Sequence, residues 1–305
     1  MSDTAGTDDA PVDAESDLSI TEWEVQEAEK ANATGKQPIV FVHGLWLLPN
    51  SWGPWRDVFE EAGYVTAAPG WPDDPETTEE AKEHPEVLAK KSVGEIADHY
   101  EEVIRALDKK PAIIGHSFGG LMTEILAGRG LAVASVPISP APFRGVLPLP
   151  YSALKTASVA LRNPANRNRA VPLTYDQFRY SFANMLDDDE ATELYEKYSV
   201  PGPGKVLFQG ALANVAPHSP VAVDFGNDER APLLLIAGGA DHVSPESLTE
   251  SNFKHYRKSG AVTEFKPFPG RSHFTLGQEG WEEVADYALD WAAEHAKAPA
   301  PAGHK

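Results

Sequence analysis

One short segment of this 305-residue chain has the residue pattern of a catalytic nucleophile. Ser117 lies in Gly115-His116-Ser117-Phe118-Gly119, with a glycine two positions before it and another two positions after it. This G-x-S-x-G pattern is typical of a sharp, strained strand-to-helix turn that exposes a serine hydroxyl. An apolar run precedes the pattern and a helix-forming run follows it, as such a turn requires. We therefore predict that Ser117 is a nucleophile at the start of a helix, where backbone N–H groups can meet developing negative charge.

The elements that must position this serine can be read from hydrophobic periodicity. Short apolar runs, rich in β-branched residues, predict buried strands, and a run that alternates predicts an edge strand. Helical spacing of apolar residues predicts amphipathic helices at 93–108 and 280–295, and a shorter polar helix is expected at 22–31. The predicted strands are 38–44, 64–68, 112–115, 132–138 and 233–237, with 262–268 as the edge strand. Strands that alternate with helices indicate an α/β fold with a mostly parallel central sheet covered by helices on both faces.

One interval, residues 143–230, interrupts this alternation. It has no buried-strand pattern but keeps helical patterns at 151–162, 174–186 and 188–198. Because connections in α/β units are usually about 2–6 residues long, an inserted helical lid is the economical explanation. The predicted organisation is an acidic disordered tail (1–20), a core (21–142 and 231–296), the lid (143–230) and a disordered end (297–305).

A second segment makes the chain resemble the α/β-hydrolase family. Val42-His43-Gly44-Leu45-Trp46 ends the first predicted strand, where that family carries a His-Gly-X loop. The resemblance implies that the backbone N–H groups of Leu45 and Phe118 form an oxyanion hole, and that His43 is structural rather than a base. The family commonly has two further strands before this one. Residues 19–37 leave too little room for both, so we expect those strands to be missing.

The same resemblance implies the partners of Ser117. A serine nucleophile needs a base beside it and an acid that orients the base. Of ten histidines, His273 lies in the loop after the last strand, where the family places its catalytic histidine. Asp241 follows the strand 233–237 in Gly238-Gly239-Ala240-Asp241, which matches the family's G-x-x-D segment. The order Ser117, Asp241, His273 along the chain is the order expected for this fold.

Composition limits the partners and the location. A formal charge of −20, from 26 basic and 46 acidic residues, argues against nucleic acid and anionic lipid as partners. No apolar run reaches the length of a membrane span. The chain has no cysteine, and residues 1–18 are acidic without a lysine or arginine, unlike a signal peptide. We expect a cytoplasmic protein, a monomer or homodimer, without a metal or cofactor.

These features together predict a serine hydrolase that cleaves carboxylic esters or lactones with an apolar group through an acyl-serine intermediate. We predict a substrate pocket lined by Trp46, His116, Phe178 and Phe182. Two other chemistries share the triad and stay open, namely cofactor-free haloperoxidase or perhydrolase activity and hydrolysis of carbon–carbon bonds. A non-catalytic receptor with the hydrolase fold is the alternative from a different functional class.

Overall fold

The computed structural model describes residues 20–147, 150–216 and 219–296. The predicted tails 1–20 and 297–305 lie outside these ranges, apart from Ile20. Eight strands occur within them: β1 Pro38–Val42, β2 Val65–Ala67, β3 Ala112–His116, β4 Ala134–Ile138, β5 Ala170–Val171, β6 Gly202–Pro203, β7 Leu233–Gly238 and β8 Thr263–Phe268. Six of the strands form one sheet in the order β2-β1-β3-β4-β7-β8, and every neighbouring pair in it is parallel. Strands β5 and β6 form a separate antiparallel pair.

Helices occupy most of the connections between these strands. The α-helices are α1 Glu22–Thr34, α2 Gly53–Glu61, α3 Thr78–Glu83, α4 Val93–Arg105, α5 Phe118–Gly128, α6 Tyr151–Leu161, α7 Tyr175–Ser181, α8 Asp188–Tyr198, α9 Gly204–Ala211, α10 Glu246–His255 and α11 Glu282–His295. Short 3-10 turns lie at Pro49–Trp52, Pro85–Leu88, Pro164–Asn168 and Tyr256–Lys258.

Helices cover both faces of the main sheet. Since successive side chains of a strand point to opposite faces, each strand contributes to two apolar cores. In β1, Val40 and Val42 join one apolar core with residues of α4 and α5. Ile39 and Phe41 join the other core with residues of α2 and α11. All five residues of β1, β3 and β4 are buried, as are the six of β7, which explains why these strands read as continuous apolar runs.

The predicted fold class is confirmed, and each of the six predicted strands is a strand of the main sheet. The alternating run at 262–268 forms the edge strand β8, as predicted. In the part of the chain that the structure describes, helix α1 precedes β1 and β2 forms the other edge, so the family's two extra strands are absent there.

The segment between β4 and β7, residues 139–232, is called the β4–β7 connection below. It contains α6, α7, α8 and α9 together with the small β5–β6 pair. Three of its helices match the predicted helical patterns, and α9 was not predicted. That the segment acts as a lid stays a prediction.

Candidate active site

Ser117 lies between β3 and α5, in the conformation that its sequence pattern predicts. Its backbone has φ 58° and ψ −119°, a region that L-residues with a Cβ avoid. Such a conformation costs about 1–3 kcal/mol and persists only where neighbouring structure enforces it. Here the Ser117 N–H donates to the carbonyl of Ile138 at 2.9 Å, and the Ser117 carbonyl accepts from Leu121 and Ala141. The turn is therefore held by hydrogen bonds on both sides of its strained residue.

The glycines around Ser117 are required by close backbone contacts. A Cβ added to Gly115 would lie 2.1 Å from the carbonyl oxygen of Gly119, and one added to Gly119 would lie 2.1 Å from that of Val42. A Cβ on Gly44 would lie 2.9 Å from both the His116 carbonyl oxygen and the Ser117 Cβ. The absence of a side chain at Gly44 thus brings the loop after β1 against the nucleophile turn.

This contact places two backbone donors beside Ser117. Phe118 is the first residue of α5, so its N–H has no carbonyl partner within the helix. Leu45 follows Gly44 in the loop, and both Leu45 and Phe118 are buried. Among the residues that the structure describes, neither N–H donates a hydrogen bond. Both donors are therefore unpaired within the described residues, and their role as an oxyanion hole stays a prediction.

Asp241 and His273 meet at the carboxyl ends of β7 and β8. Oδ2 of Asp241 lies 2.7 Å from Nδ1 of His273, and both side chains are fully shielded from solvent. Oδ1 of Asp241 accepts from the backbone N–H groups of Val243 at 2.7 Å and Ser244 at 2.8 Å. Burial alone would raise the pKa of Asp241, but the His273 ring and the Ser244 N–H outweigh it and hold the pKa below its ordinary value. The carboxylate therefore stays ionised and orients the imidazole.

The other ring nitrogen of His273 has no partner in the described residues. Its Nε2 is buried, while Nδ1 is engaged by Asp241. The edge of the Phe182 ring, with centroids 4.8 Å apart, covers one side of the imidazole. In enzymes without a bound substrate, catalytic hydrogen bonds are often long. The unpaired Nε2 of His273 is therefore compatible with a role as general base.

His116 joins the nucleophile turn to the histidine loop. Its Nε2–H donates to the backbone carbonyl of His273 at 2.8 Å, and the two rings lie 4.6 Å apart. Complete burial, reinforced by the nearby His273, lowers the pKa of His116 to about 3. The ring is neutral at physiological pH, with its proton fixed on Nε2 by the carbonyl that accepts it. His116 therefore holds the loop of His273 beside Ser117.

A cavity of about 220 Å³ opens onto Ser117. The β4–β7 connection covers it with side chains of α6 and α9, and no charged residue lines it. The lining residues are Trp46, Ser117, Phe118, Ala141, Pro142, Ala153, Leu154, Thr156, Ala157, Leu161, Leu207, Gly210, Ala211, Val243, Ser244 and Leu248. Such a site favours a small apolar group next to the nucleophile.

Of the four predicted pocket residues, only Trp46 lines this cavity. His116 is buried behind the serine turn. Phe178 and Phe182 stack on each other at 5.2 Å and support the His273 loop from the side. These two phenylalanines are apolar because they pack against His273 and Phe274. The side chains that cover the cavity come from α6 and α9.

Sequence reasoning missed a buried charge cluster next to His43, the first residue of the loop after β1. Nε2 of His43 lies 3.0 Å from Oδ2 of Asp74, and Nζ of Lys91 lies 2.5 Å from Oδ1 of the same carboxylate. Burial would raise the pKa of Asp74, but His43 and Lys91 outweigh it and lower the pKa. His43 also stacks on Trp71, so it has a supporting role. The pair Asp73-Asp74 after β2 was the only sequence signal, and nothing marked Lys91.

The described ranges hold neither a metal-binding cluster nor a membrane-spanning helix. No group of three or more histidine, aspartate or glutamate side chains there is arranged to hold a metal ion. No helix within those ranges combines the length and apolar character needed to cross a bilayer.

Comparison with known proteins identifies the family. The sequence pattern of the alpha/beta hydrolase family matches residues 39–287, so the chain belongs to that family. Among curated proteins, no sequence matches this chain.

Solved structures share the fold at low sequence identity. A monoacylglycerol lipase of Paleococcus ferrophilus is 20% identical with a TM-score of 0.59, over 85% of this chain and 94% of the lipase. Polyneuridine aldehyde esterase is 20% identical with a TM-score of 0.57, over 84% of this chain and 99% of the esterase. A thermophilic esterase from Thermogutta terrifontis is 16% identical with a TM-score of 0.61, over 86% of this chain and 91% of that protein.

Proposed function

We propose that this protein is a serine hydrolase that cleaves carboxylic esters or lactones with a small apolar group. The observation that carries the proposal is the state of His273, whose Nδ1 is bound by buried Asp241 while its buried Nε2 has no partner among the described residues. Ser117 borders an uncharged cavity. The solved structures that share the fold include a lipase and two esterases, and these names denote enzymes that cleave ester bonds. They agree with the proposed cleavage of esters.

In the first half of the reaction, Oγ of Ser117 attacks the carbonyl carbon while Nε2 of His273 takes the hydroxyl proton. The carbonyl oxygen becomes an oxyanion and accepts hydrogen bonds from the N–H groups of Leu45 and Phe118, each typically contributing about 3 kcal/mol. Asp241 stabilises the imidazolium. The bond to the leaving oxygen then breaks, that oxygen receives the proton from His273, and an acyl-serine remains.

In the second half, a water molecule gives a proton to Nε2 of His273 and attacks the acyl carbon. The same two N–H groups hold the second oxyanion. The bond between Ser117 Oγ and the acyl carbon breaks, and Oγ takes the proton back from His273. The carboxylic acid leaves, and the enzyme returns to its starting state. With a lactone, acid and alcohol are released as one molecule.

The cavity limits the substrate in size and in charge. Its 220 Å³ is below the roughly 300 Å³ at which pockets for drug-sized ligands begin. Its polar side-chain groups come from Ser117, Thr156, Ser244 and Trp46. Since the indole N–H of Trp46 already donates to the Val171 carbonyl at 2.8 Å, little polar capacity is left for the substrate. We infer a preference for short, neutral, apolar acyl or alcohol groups.

The experiment is steady-state hydrolysis of p-nitrophenyl acetate, butyrate and octanoate, a small lactone panel with acid release followed by pH-stat, and labelling with a fluorophosphonate. The wild type should turn over and be labelled. Ser117→Ala should lose both while its unfolding midpoint stays near that of the wild type. Asp241→Asn should reduce kcat by about 10⁴, as loss of the orienting acid does in other triads.

Ser135→Ala is the matched control, since Ser135 is equally buried and its hydroxyl has no partner among the described residues. Ser135 lies near the amino end of β4, so this variant should keep activity and labelling. Turnover that survives in Ser117→Ala would refute the assignment of the nucleophile. Tight ester binding by the wild type without turnover would instead indicate a receptor.

A further inference from the structure

Exposed apolar side chains cluster on the two helices that cover the cavity, α6 and α9, and on the chain next to them. Ten large hydrophobic side chains are exposed in the described part of the chain, and half of them belong to α6, α9 or the residues next to these helices. We call these five the apolar collar: Leu147, Tyr151, Leu154, Leu212 and Val215. Tyr151 and Val215 are the most exposed, at 79% and 77%. Clustered exposure of this kind marks an interaction surface more often than scattered exposure does.

Contacts within the β4–β7 connection hold the collar together around the opening. Helices α6 and α9 pack against each other. Leu154 of α6 and Ala211 of α9 both line the cavity and are both exposed, so the cavity opens between the two helices. The N–H of Gly145 donates to Oδ1 of Asn214 at 2.7 Å, which ties the start of the connection to the turn that carries Leu212 and Val215.

The same region has a charge opposite to that of the whole chain. Residues 143–175 and 199–223 contain six of the 26 basic residues and none of the 46 acidic ones. On α6, the exposed positions follow one helical stripe that runs from Tyr151 and Leu154 through Lys155 to Arg162. Within the described residues, no carboxylate forms an ion pair with Arg162, Arg167 or Arg169. Apolar and cationic side chains therefore share the surface around the opening.

Two partners could cover this surface, a second copy of the chain or a lipid surface, and its mixture of apolar and basic side chains distinguishes them. A second copy that used the same patch in a two-fold dimer would place basic residues against basic residues, because such an interface is self-complementary. An anionic lipid surface instead accepts apolar side chains between its head groups and attracts lysine and arginine. The strongly acidic remainder of the molecule is repelled by that surface, so only one face can approach it. The net charge argued against anionic lipid, but it does not describe this face.

We propose that the apolar collar and its basic neighbours dock the protein on an anionic lipid surface, with the cavity opening toward the lipid. Docking in this orientation lets an apolar substrate pass from the lipid to Ser117 without crossing water. The binding itself needs no chemistry at Ser117, so it stands or falls separately from the proposed hydrolase activity.

The test is flotation of the full chain with vesicles of phosphatidylcholine alone or of equimolar phosphatidylcholine and phosphatidylglycerol. The wild type and Ser117→Ala should both float with the anionic vesicles, poorly with the zwitterionic ones, and less at raised salt because screening weakens the attraction. Tyr151→Ser combined with Val215→Ser should weaken flotation by about tenfold or more, as should Arg162→Glu combined with Arg167→Glu. Neither pair lines the cavity, so hydrolysis of soluble p-nitrophenyl butyrate should be unchanged.

Matched controls come from the rest of the molecule. Val25→Ser with Val262→Ser removes two exposed valines away from the collar, and Arg257→Glu with Lys258→Glu reverses two exposed charges near the amino end of β8. Both controls should float like the wild type. Equal loss in the control and collar variants would overturn the proposal, as would a wild type that ignores anionic vesicles. The oligomeric state is measured by size-exclusion chromatography with light scattering. A wild-type dimer that dissociates only in the collar variants would overturn the proposal and assign the face to self-association.

Discussion

At the scale of single residues, His116 has a role that its position next to Ser117 does not reveal. It contacts the backbone of the His273 loop rather than substrate, and it is a positioning residue. Its pKa of about 3 means that it stays neutral around pH 7. Its contribution is therefore mechanical, through one hydrogen bond from the end of β3 to a backbone carbonyl 157 positions further along the chain.

We predict that His116→Phe reduces kcat for p-nitrophenyl butyrate by about tenfold or more, because the His273 loop loses the hydrogen bond that positions it, and a tenfold loss of rate needs only about 1.4 kcal/mol of transition-state stabilisation. KM and the shape of the pH–rate profile should change little, since neither the cavity nor a titrating group is removed. His116→Gln, which keeps a donor, should recover part of kcat. An unchanged kcat in His116→Phe would show that the hydrogen bond does not position His273.

At the scale of elements, the cavity is set by how α9 lies over Ser117. Gly210 of α9 lines the cavity, and a Cβ there would meet only Phe118 Cζ within 4 Å, at 3.9 Å. A larger side chain at this position would extend into the cavity. In the proposed reaction, the glycine would leave room for part of the acyl group.

We predict that Gly210→Leu reduces kcat/KM for p-nitrophenyl octanoate at least about tenfold more than that for the acetate, since one methylene in an apolar pocket is worth about 1–3 kcal/mol. The measurement is the ratio of kcat/KM across the ester series. Gly260→Leu is the control, because a Cβ at Gly260 also meets no atom closer than 3.9 Å, and Gly260 precedes the amino end of β8, at the edge of the sheet opposite to the site. Equal losses for octanoate and acetate would place Gly210 outside the acyl site.

A second element-scale feature is a buried carboxyl between α5 and α10. Glu124 accepts from the Tyr256 hydroxyl at 3.1 Å and from the Asn252 amide at 3.4 Å. Burial raises the pKa of Glu124 to about 8, although Tyr256, Asn252 and Arg230 each act to lower it. The folded state thus favours the protonated acid at neutral pH.

The direction of the pH effect on stability follows from this shift. A carboxyl with a raised folded-state pKa contributes its full stability below its unfolded pKa of about 4.3 and loses it as pH rises through about 8. We predict that Glu124→Gln flattens this decline and raises the free energy of unfolding at pH 8 by a few kcal/mol, on the order of 1.4 per pKa unit. Urea titrations from pH 5 to 9 measure it. Glu61→Gln, at an exposed site, should leave the decline unchanged, and a steeper decline in Glu124→Gln would contradict the assignment.

Helices and strands could be predicted from the sequence where their own residues carry a clear hydrophobic pattern, and not where packing against other elements stabilises them. The strands of the main sheet are buried on both faces, so their apolar runs are visible in the chain itself. Helix α9 was missed because glycines at 204 and 210 lower helix propensity, and its helical state depends on packing against α6 and the Pro164–Asn168 turn. Phe178 and Phe182 were predicted to line the pocket because an apolar residue has the same appearance in a pocket and in a core.

At the scale of the whole molecule, the charge of −20 acts against the compact state through self-repulsion. We predict that added NaCl raises the midpoint of thermal unfolding, since about 0.1 M salt already screens exposed charges more than roughly 10 Å apart. Differential scanning fluorimetry across a salt series measures this. KCl should act equally, and a midpoint that falls or stays flat would show that attractive pairs dominate the surface.

The parts of this protein that local sequence could specify are the strands and the nucleophile turn, because the Gly115–Gly119 pattern and the apolar runs act over a few residues. The partners Asp241 and His273 came from resemblance, and the structure brings those two together at 2.7 Å. Only the tertiary structure showed that His116 bonds to the His273 loop, that Lys91 and His43 pair with Asp74 behind the loop after β1, and that α6 and α9 cover the cavity. Each of these contacts joins residues that are distant in the chain or depends on which side of a helix faces the site, and no local pattern encodes such geometry.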